Sequence, residues 1–414
     1  MIKNIWLVNK YAMPPQYESR LRTIKFAHYF QQMGYNVTVF GSSVMHNMDI
    51  DLIDDGSKYI ERQYDNYKFV HIKSCQYKKT AGIKRVWSDI QFHFRLVNIA
   101  KRLKKPDVVI ATTSAIFFNP VLNYCRKNNI KYISEILDWW PDNFVDFGLV
   151  SAKNPLIKYL FWRAKNNYPK LDSIVCSMKG CFKYFEDKGW DLDHGGKLDL
   201  SRVYYINNGV DLNDFNNWKN QYSIDDTDLK SEKKKVIYLG SVRLANDVGQ
   251  LVKAAEILQE LTDVEFLIYG NGDDREPLIQ YCKEHQLKNV KFKDKWIDPK
   301  YVPYVLSQSY INILNYTAKF GKYGISSSKM FQYMAAGKPI VCNISIMFSP
   351  IEESQIGISR DMVDAQDYSE AIKSILNLSK DKYDAMCDRA REAAKEFDYP
   401  YLAKKMANII EGLE

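Results

Sequence analysis

The sequence predicts an α/β protein with two doubly wound parallel-sheet domains in tandem. Short apolar runs alternate with helical patterns at a spacing of about 30 residues, which is the size of one βαβ unit. Most of these runs are continuously apolar, as in strands that are buried on both faces. A polar stretch at 216–235 interrupts the alternation once, after which the pattern restarts. The 414 residues also exceed what one ordinary core accommodates.

The first domain is expected to span residues 1–215. It opens with the apolar run "IKNIWLV" and a loop, followed by the helical pattern "LRTIKFAHYFQQMG", in which Gly34 is a natural C-terminal stop. The next strand is "YNVTVFG". Further strands are predicted within 106–114, 130–137 and 171–177, and the domain closes at 203–215.

The second domain is expected to span 236–395, after a linker at 216–235. It begins with the strand "VIYLGS", the helix "DVGQLVKAAEILQEL" and the strand "VEFLIYGNG". More strands are predicted within 290–296, 310–316 and 339–345. The segment 396–414 has a helical pattern, and we expect it to cross back onto the first domain.

Composition narrows the class of protein. The formal net charge of +8 is carried entirely by residues 78–105, where nine Lys and Arg accompany the single acid Asp89. No apolar run reaches the roughly 18–20 residues that span a bilayer, and the N-terminal run reads as a strand. The seven cysteines include no CxxC pair, which fits reduced thiols in a cytoplasm, and the six histidines have no zinc-ligand spacing.

Parallel sheets bind ligands at the carboxyl ends of their strands, so we expect a site in a cleft between the two domains. The stretch "KYGISSSKMFQYMAAGKPIV" (322–341) supports an anion at this edge. A buried strand precedes it, and its serines are natural N-cap residues for a helix that stops at Gly337. A helix N terminus carries free N–H groups and partial positive charge, which favour phosphate, and Lys329 adds a charge. The alternative is an ordinary capped helix of a βαβ unit.

Two further turns have the same placement after a strand. "YLGSVRLAND" (238–247) offers Gly240 and Ser241 for a tight turn and Arg243 as a bidentate phosphate donor. "YGNGDDREPL" (269–278) places Gly270 and Gly272 at another strand end. A single such turn is weak, but three in one domain favour a phosphate site over three bare βα turns.

Together with "VYYINNGVDLNDF", these motifs resemble family 4 of the glycosyltransferases over nearly the whole chain. These are retaining enzymes with the GT-B fold, and the similarity is greatest to the bacterial branch that builds capsule, exopolysaccharide or O-antigen. "NKYAMPPQYESRLR" and "EILDWWPDNFVDFG" are similar to the family's first N-terminal loop and to its Asp-x-Trp-Pro segment.

The resemblance implies a reaction and a set of roles. A hexosyl or N-acetylhexosaminyl group would move from a nucleotide sugar, expected to be UDP-linked, to a surface glycan on a lipid carrier. No cofactor and no metal are expected, because positive groups and helix N termini neutralise the diphosphate. Arg243 and Lys329 would do so, and Asp138 is the third candidate catalytic residue. The expected donor-binding residues are Gly240, Ser241, Asn246, Gly270, Gly272, Trp296, Gly324, Ile325, Ser326, Ser327, Ser328 and Gln332.

The sequence departs from the family pattern at two kinds of position. The Glu-x7-Glu motif falls on Gly324 and Gln332, of which only Gln332 retains a side-chain acceptor for ribose hydroxyls. The Arg and Lys that usually follow the first strand of the second domain are replaced by Ser241 and Asn246. Arg243 is the expected substitute, and the identity of the donor sugar stays open.

Three residues of the first domain are acceptor-side candidates. Asp138 and Trp140 of "DWWPD" would contact the acceptor or the sugar; otherwise Asp138 caps a helix and the tryptophans are core residues. Arg22 opens the first helix near the expected cleft; otherwise it is a surface arginine.

The basic segment 78–105 has two interpretations. Ile83, Trp87, Ile90, Phe94 and Val97 recur at helical spacing with Lys and Arg mostly elsewhere. Such a helix either contacts an anionic membrane surface, which would make the protein peripheral, or packs this stripe on the core and solvates its basic face. Nucleic acid is not expected, because no binding motif accompanies the patch.

Three other functions are alternatives to this assignment. A metal-dependent Asp-x-Asp transferase would use "DID" (49–51) or "DLD" (191–193), but neither follows a buried strand. A chain without both glutamates is alternatively a non-catalytic subunit that binds a sugar nucleotide and activates another transferase. A sugar-nucleotide epimerase also uses two such domains, but would need acid and base residues that the sequence does not reveal.

Overall fold

The structure is a computed structural model of the 414-residue chain. It describes residues 2–14, 16–17, 21–45, 50–64, 67–76, 83–112, 120–146, 148, 150–317 and 321–413. Residues 78–82 of the basic segment, Asp49 of the first acidic pair and residues 15, 18–20, 147 and 318–320 of the quoted loops lie outside these ranges. The chain divides into two compact units, Met1–Asn207 with Leu402–Glu414, and Asn208–Tyr401.

The first unit is built on an eight-stranded sheet of order β3-β4-β2-β1-β5-β6-β7-β8. All neighbours are parallel except the β3–β4 hairpin at one edge. Its central strand β1 pairs with β2 and β5, so that Ile5 stands opposite Val37 and Val108. The strands are β1 (Asn4–Val8), β2 (Asn36–Ser42), β3 (Tyr59–Tyr64), β4 (Tyr67–Ile72), β5 (Val108–Thr112), β6 (Lys131–Ile136), β7 (Ser173–Cys176) and β8 (Val203–Tyr205).

Helices connect these strands. They are α1 (Arg22–Gln32), α2 (Ile83–Ala100), α3 (Pro120–Lys127), α4 (Asp142–Asp146), α5 (Pro155–Asn167) and α6 (Cys181–Asp187). The C-terminal helix α16 (Tyr399–Glu411) begins in the second unit, and its residues from Leu402 onward belong to the first.

The second unit has a six-stranded, fully parallel sheet of order β11-β10-β9-β12-β13-β14. With β9 counted as the first strand this is the 3-2-1-4-5-6 order of dinucleotide-binding folds. The strands are β9 (Lys234–Leu239), β10 (Val264–Tyr269), β11 (Val290–Phe292), β12 (Ile311–Leu314), β13 (Ile340–Cys342) and β14 (Gly357–Ser359). The helices are α7 (Leu212–Gln221), α8 (Thr227–Lys230), α9 (Val248–Ile257), α10 (Arg275–Glu284), α11 (Val302–Ser307), α12 (Ser328–Ala335), α13 (Pro350–Glu353), α14 (Ala365–Leu376) and α15 (Lys380–Ala394).

Every residue of β10 and β12 is buried, as the continuous apolar runs predicted. One core cluster packs α9 and α14 on one face of the sheet, and a second packs α12 and α15 on the other. The predicted fold class, two parallel-sheet α/β domains, is therefore confirmed for each unit.

The division between the units falls at Asn207–Asn208, whereas the sequence placed the end of the first domain at residue 215. The residues after Asn208 pair inside the second unit, where the Val210 amide donates to the Phe397 carbonyl and the Tyr399 amide to the Val210 carbonyl, both at 3.0 Å. The polar stretch 216–235 holds the end of α7 and all of α8 rather than an irregular linker.

The structure corrects one interpretation of α2. Trp87 and Phe94 of the predicted apolar stripe are 56% and 57% exposed, and the buried side instead carries Phe92, His93 and Asp89. Polar partners explain the difference, because Lys10 lies 2.8 Å from the Asp89 carboxylate inside the unit. The interpretation that packs the predicted stripe on the core is therefore wrong for Trp87 and Phe94, whereas Ile90 and Val97 are partly buried. The side chain of Ile83 lies outside the described part of the structure. Among the described residues, no helix combines the length and apolarity needed to cross a membrane.

Candidate functional site

The candidate site lies at the carboxyl edge of the second sheet, where β9 and β12 are neighbours. The connection after β9 leads to β10 on one side, and the connection after β12 leads to β13 on the other. Ligands of doubly wound sheets bind at such a topological switch point. Two turns flank it: residues 240–247, and the described residues 315–317 and 321–327. They overlap the segments 238–247 and 322–341 that the sequence singled out as phosphate-binding.

Hydrogen bonds join these two turns to each other. The Thr317 amide donates to the Ala245 carbonyl at 3.1 Å, and Asn315 Nδ2 donates to the Asp247 carbonyl at 3.0 Å. Ser241 Oγ donates to Asn246 Oδ1 at 2.7 Å. The side chains of Ser241 and Asn246 therefore shape the first turn, and the pair of turns forms one connected rim.

Lys329 brings a cation to this rim that forms no ion pair with the described residues. Its half-buried side chain lies against the end of β9, with Nζ 5.1 Å from the centre of the Tyr238 ring. Within the described part of the chain, no carboxylate pairs with it, and burial lowers the pKa of Lys329 to about 8. A Cβ at Gly240 would lie 2.2 Å from Lys329 Nζ, so this glycine is what lets the ammonium approach the turn. Such a desolvated cation favours binding of an anion.

Arg243 supplies a second cation at the same edge. It is exposed, extends from the turn after β9 with a φ of −139°, and has no ion pair or side-chain hydrogen bond among the described residues. Its planar guanidinium is therefore available for a bidentate contact with phosphate.

The N terminus of α12 completes the cation-rich edge. Ser327 is its cap residue, but no side chain caps the helix, and the Ser327 hydroxyl instead bonds to Tyr316. In the described structure neither the Ser327 nor the Ser328 amide donates to a protein acceptor. These N–H groups and the positive end of the helix dipole are suited to an anion. Gln332 follows one turn later, on the same face of α12 as Ser328 and Lys329. Its side-chain amide also has no hydrogen-bond partner within the described residues.

Gly270 and Gly272 have internal reasons to be glycine. A Cβ at Gly270 would lie 1.8 Å from the Gly240 carbonyl oxygen, and one at Gly272 would lie 2.0 Å from that of Val242. Their φ angles of 121° and 159° also disfavour other residues. They let the turn after β10 pack on the turn after β9, and their contact with a nucleotide stays a prediction.

The remaining second-unit candidates differ in accessibility. Gly324 has a φ of 89°, so the backbone at the first position of the Glu-x7-Glu pattern favours glycine. Ile325 is a core residue, and Ser326 is bonded to Asn208. Trp296, beyond the end of β11, is 73% exposed and offers a free ring.

Arg22 is buried rather than a surface residue. Its Nε and Nη2 donate to Glu135 Oε1 at 3.1 and 2.9 Å, and its Nη groups donate to the carbonyls of Ile206 and Asn207 at 3.0 and 2.5 Å. These bonds join α1, β6 and the segment after β8. The structure gives Arg22 this internal role, and its acceptor-side role stays a prediction.

The "DWWPD" segment mixes core and accessible residues. Trp139 is buried and stacks on Tyr184 with ring centroids 4.0 Å apart, as the core interpretation requires for one tryptophan. Trp140 is half-buried beside Phe144, and Asp138 is exposed. Helix α4 begins at Asp142, whose carboxylate accepts from the Tyr184 hydroxyl at 2.7 Å.

Sequence reasoning missed the residues that hold the site in shape. Glu135 looked like an ordinary strand residue, and Asn315 and Asn343 stood in loops without a motif of chemical meaning. Asn208 lies in the motif "VYYINNGVDLNDF", but no role was predicted for it from the sequence. Asn343 fixes the backbone of Tyr316 on both sides, accepting from its amide at 2.9 Å and donating to its carbonyl at 3.0 Å. Asparagine directly after a buried strand was the available signal.

No cluster of three or more His, Cys, Asp or Glu side chains suited to a metal ion occurs among the described residues. The geometry instead offers two cations and a row of N–H donors. This combination can hold a diphosphate and neutralise charge that develops on it.

Comparison with solved structures identifies the fold. Sucrose-phosphate synthase from Thermosynechococcus elongatus aligns with a TM-score of 0.71 and 16% identity, covering 99% of both chains. HepE of Anabaena, solved in complex with UDP-glucose, aligns at 0.65 and 12% identity over 99% of both chains. WaaG, described as a glycosyltransferase involved in lipopolysaccharide biosynthesis, aligns at 0.65 and 12% identity over 99% of this chain and 100% of its own. The chain has the GT-B fold.

Sequence comparison adds a family match within this GT-B chain. Residues 220–397 match the family model described as "Glycosyl transferases group 1". The match covers most of the second unit and the whole rim from Gly240 to Gln332. No curated protein matches the GT-B chain in sequence at a significant level.

Proposed function

We propose that this protein is a retaining glycosyltransferase that uses a nucleotide sugar, with UDP as the nucleotide. The observation that carries the proposal is Lys329 at the N terminus of α12, at the switch point of the sheet: among the described residues it has no ion-pair partner, and no side chain caps the helix. The family match over 220–397 and the UDP-glucose complex of HepE support it.

In the proposed reaction an acceptor hydroxyl attacks the anomeric carbon on the face from which the diphosphate leaves. The bond between this carbon and the diphosphate oxygen breaks, and the proton of the hydroxyl passes to the leaving diphosphate. Lys329, Arg243 and the Ser327 and Ser328 amides stabilise the negative charge that develops, so that the reaction requires no metal. Gln332 accepts a hydrogen bond from a ribose hydroxyl, and backbone near Trp296 contacts the base.

The proposed acceptor is a growing bacterial surface glycan on a lipid carrier, and the transferred group is a hexose or an N-acetylhexosamine. The description of WaaG supports this class of acceptor. Asp138, Trp140 and Arg22 are the proposed acceptor-side residues, with Asp138 as a candidate for catalysis. The exposed aromatic residues of α2 support contact of the basic segment with an anionic membrane surface.

The first experiment is a thermal-shift panel of UDP, GDP, ADP, CMP and dTDP, with and without Mg²⁺. A ligand that binds only the native state raises stability by mass action. We expect a shift with UDP that does not depend on Mg²⁺. The absence of a shift with every nucleotide would overturn the proposal.

UDP binding by single-residue variants tests whether the nucleotide occupies the proposed site. Lys329→Met and Arg243→Ala should each weaken UDP binding by about 1.5–3 kcal/mol, roughly ten- to a hundred-fold in Kd, because each removes a charged donor. Gln332→Ala should weaken it less. The control is Lys288→Met, because Lys288 is an exposed lysine that precedes β11 at the opposite edge of the sheet. This variant should bind UDP as the wild type does. Unchanged kcat/KM in Arg243→Ala would contradict its role.

An assay of nucleotide-sugar turnover distinguishes the transferase from the two alternatives, an epimerase and a binding subunit. A transferase consumes the nucleotide sugar only with acceptor and forms a glycosidic bond. Turnover without acceptor would favour an epimerase, and nucleotide binding without turnover in the presence of acceptor would favour a binding subunit.

A further inference from the structure

Asn208 is the first residue of the second unit and contacts the loop that leads into α12. Its side-chain Nδ2 donates to the Ser326 carbonyl oxygen at 3.0 Å, and its backbone amide lies 3.4 Å from Ser326 Oγ. The proposed reaction assigns no role to Asn208. The Ser326 carbonyl that accepts this bond belongs to the same peptide group as the N–H of Ser327, which has no acceptor among the described residues.

The planarity of the peptide bond connects these two groups. In a trans peptide the carbonyl of one residue and the N–H of the next lie in one plane and point in opposite directions. A donor that holds the Ser326 carbonyl toward Asn208 therefore points the Ser327 N–H the opposite way. Since this N–H has no protein acceptor in the described structure, its direction is set from the carbonyl side.

Hydrogen bonds of the residues that follow hold Asn208 in place within the second unit. Two residues later, Val210 forms the short backbone bridge to Phe397 and Tyr399, and the Leu212 amide donates to Asp398 Oδ1 at 3.1 Å. Asp211 then caps α7. The side-chain amide of Asn208 is thus presented to the loop from backbone that hydrogen bonds to Phe397, Asp398 and Tyr399 hold in place.

The rest of the loop leaves the orientation of this peptide open. Gly321 and Gly324 precede it with φ angles of 104° and 89°, which permit backbone arrangements that other residues resist. Ile325 is anchored in the core, and Ser327 is bonded to Tyr316 only through its hydroxyl. A rotation of the 326–327 peptide would keep both anchors and turn the N–H away from the ligand.

We infer that Asn208 is a positioning residue: by fixing the 326–327 peptide plane it aims the Ser327 N–H at the diphosphate. The inference rests on the proposed function, since it needs a diphosphate at the N terminus of α12. It gives Asn208 of the motif "VYYINNGVDLNDF", where the chain enters the second unit, a part in donor binding that the sequence alone did not assign.

The test compares two substitutions that remove the donor. Asn208→Leu keeps nearly the volume of the side chain, and Asn208→Ala does not. If Asn208 acts by orienting the peptide, both variants should weaken binding of UDP and of inorganic pyrophosphate by about tenfold, since both lose the same hydrogen bond. If it acts by packing, Leu should bind as the wild type does. Asn216→Leu, on the exposed side of α7, is the matched control.

Titration calorimetry gives the dissociation constants, and urea unfolding of the same samples gives the midpoint. The expected result is a parallel loss for UDP and pyrophosphate in both variants, with midpoints that stay at the control value. Wild-type affinity in Asn208→Leu, or a loss of affinity that follows a lowered midpoint, would overturn the inference. Failure of the wild type to bind UDP and pyrophosphate would overturn the proposed function itself, which distinguishes the two failures.

Discussion

At the scale of single residues, Lys329 makes the proposed site sensitive to pH. Burial lowers its pKa to about 8, so the ammonium begins to lose its proton within an accessible range. A diphosphate favours the charged form, and phosphate groups with a pKa near 6 are already fully ionised there. We therefore expect the affinity for UDP, measured by calorimetry, to fall as the pH rises from 7 to 9.5.

The stability of the free protein should change in the opposite direction. The unfolded lysine keeps its proton up to a pH of about 10.5, so between pH 8 and 10.5 the unfolded state binds more protons and this residue makes the native state more stable as pH rises. Lys329→Met should show neither dependence. A UDP affinity that follows the same pH curve in this variant as in the wild type would contradict the assignment.

Two glycines should respond oppositely to substitution by alanine, because only one of them has room for a Cβ and a backbone conformation that alanine adopts. Gly270→Ala should destabilise the protein by roughly 2–5 kcal/mol, because its Cβ would overlap the Gly240 carbonyl and its φ is positive. Gly249→Ala in α9 should instead stabilise it by about 0.5–1 kcal/mol, because the new Cβ would lie 3.7 Å from Leu278 and alanine favours helix. Urea unfolding measures both, and equal effects of one sign would contradict this account.

These residues show what sequence reasoning could and could not supply. The glycines and Lys329 were predicted at the correct strand ends, since a glycine-bearing βα turn is a local pattern. The reasons for Gly270 and Gly272 were not predictable, because the carbonyls they avoid lie in the turn after β9, which is distant in sequence. The burial of Arg22 was not predictable for the same reason, since its partner Glu135 is distant in sequence.

At the scale of elements, α2 shows why periodicity alone could not decide which of its faces is buried. The apolar stripe was read correctly, but hydrophobicity cannot show that Asp89 and Lys10 pair inside the unit. The strands at the centre of each sheet that were predicted have burial on both faces, which leaves a continuous apolar signal. Strands β3, β4 and β14 were not predicted. β3 is an exposed edge strand with polar side chains and β14 has only three residues, whereas β4 was missed although most of it is buried.

The exposed stripe of α2 gives the membrane proposal a direct test. Trp87→Glu with Phe94→Glu should reduce binding to vesicles containing phosphatidylglycerol by at least tenfold, since it removes apolar insertion and adds repulsion. Flotation measures this binding, which should also weaken at high salt. Val363→Glu, at a residue that is 88% exposed in the second unit, is the control.

Helix α5 offers a second exposed apolar face for the same comparison. Leu156, Tyr159 and Trp162 are 63%, 52% and 58% exposed, and lysines accompany them. If Tyr159→Glu with Trp162→Glu abolished vesicle binding while the α2 variant retained it, the contact would belong to α5 and the proposal for the basic segment would be wrong. Equal binding to neutral vesicles would contradict the electrostatic part.

At the scale of the whole molecule, each unit is built on a largely parallel sheet, and the two cations of the proposed site, Arg243 and Lys329, lie in the second unit. The proposed donor-binding residues, from Gly240 to Gln332, all belong to the second unit, while Arg22, Asp138 and Trp140 belong to the first. A nucleotide without acceptor should therefore stabilise mainly the second unit. At a hundred times its Kd the stabilisation is about 2.7 kcal/mol.

Amide hydrogen exchange can locate that stabilisation along the chain. With saturating UDP we expect the greatest added protection in peptides covering 238–247 and 321–335, because local opening of the bound turns must first release the ligand. The strands β1, β2 and β5 at the centre of the first sheet should exchange as they do without nucleotide. In Lys329→Met at the same UDP concentration the added protection should shrink at both turns together, because hydrogen bonds such as that from Thr317 to Ala245 join them into one rim. Protection that appeared at one turn alone, or chiefly in the first unit, would contradict a diphosphate site at the β9–β12 switch point.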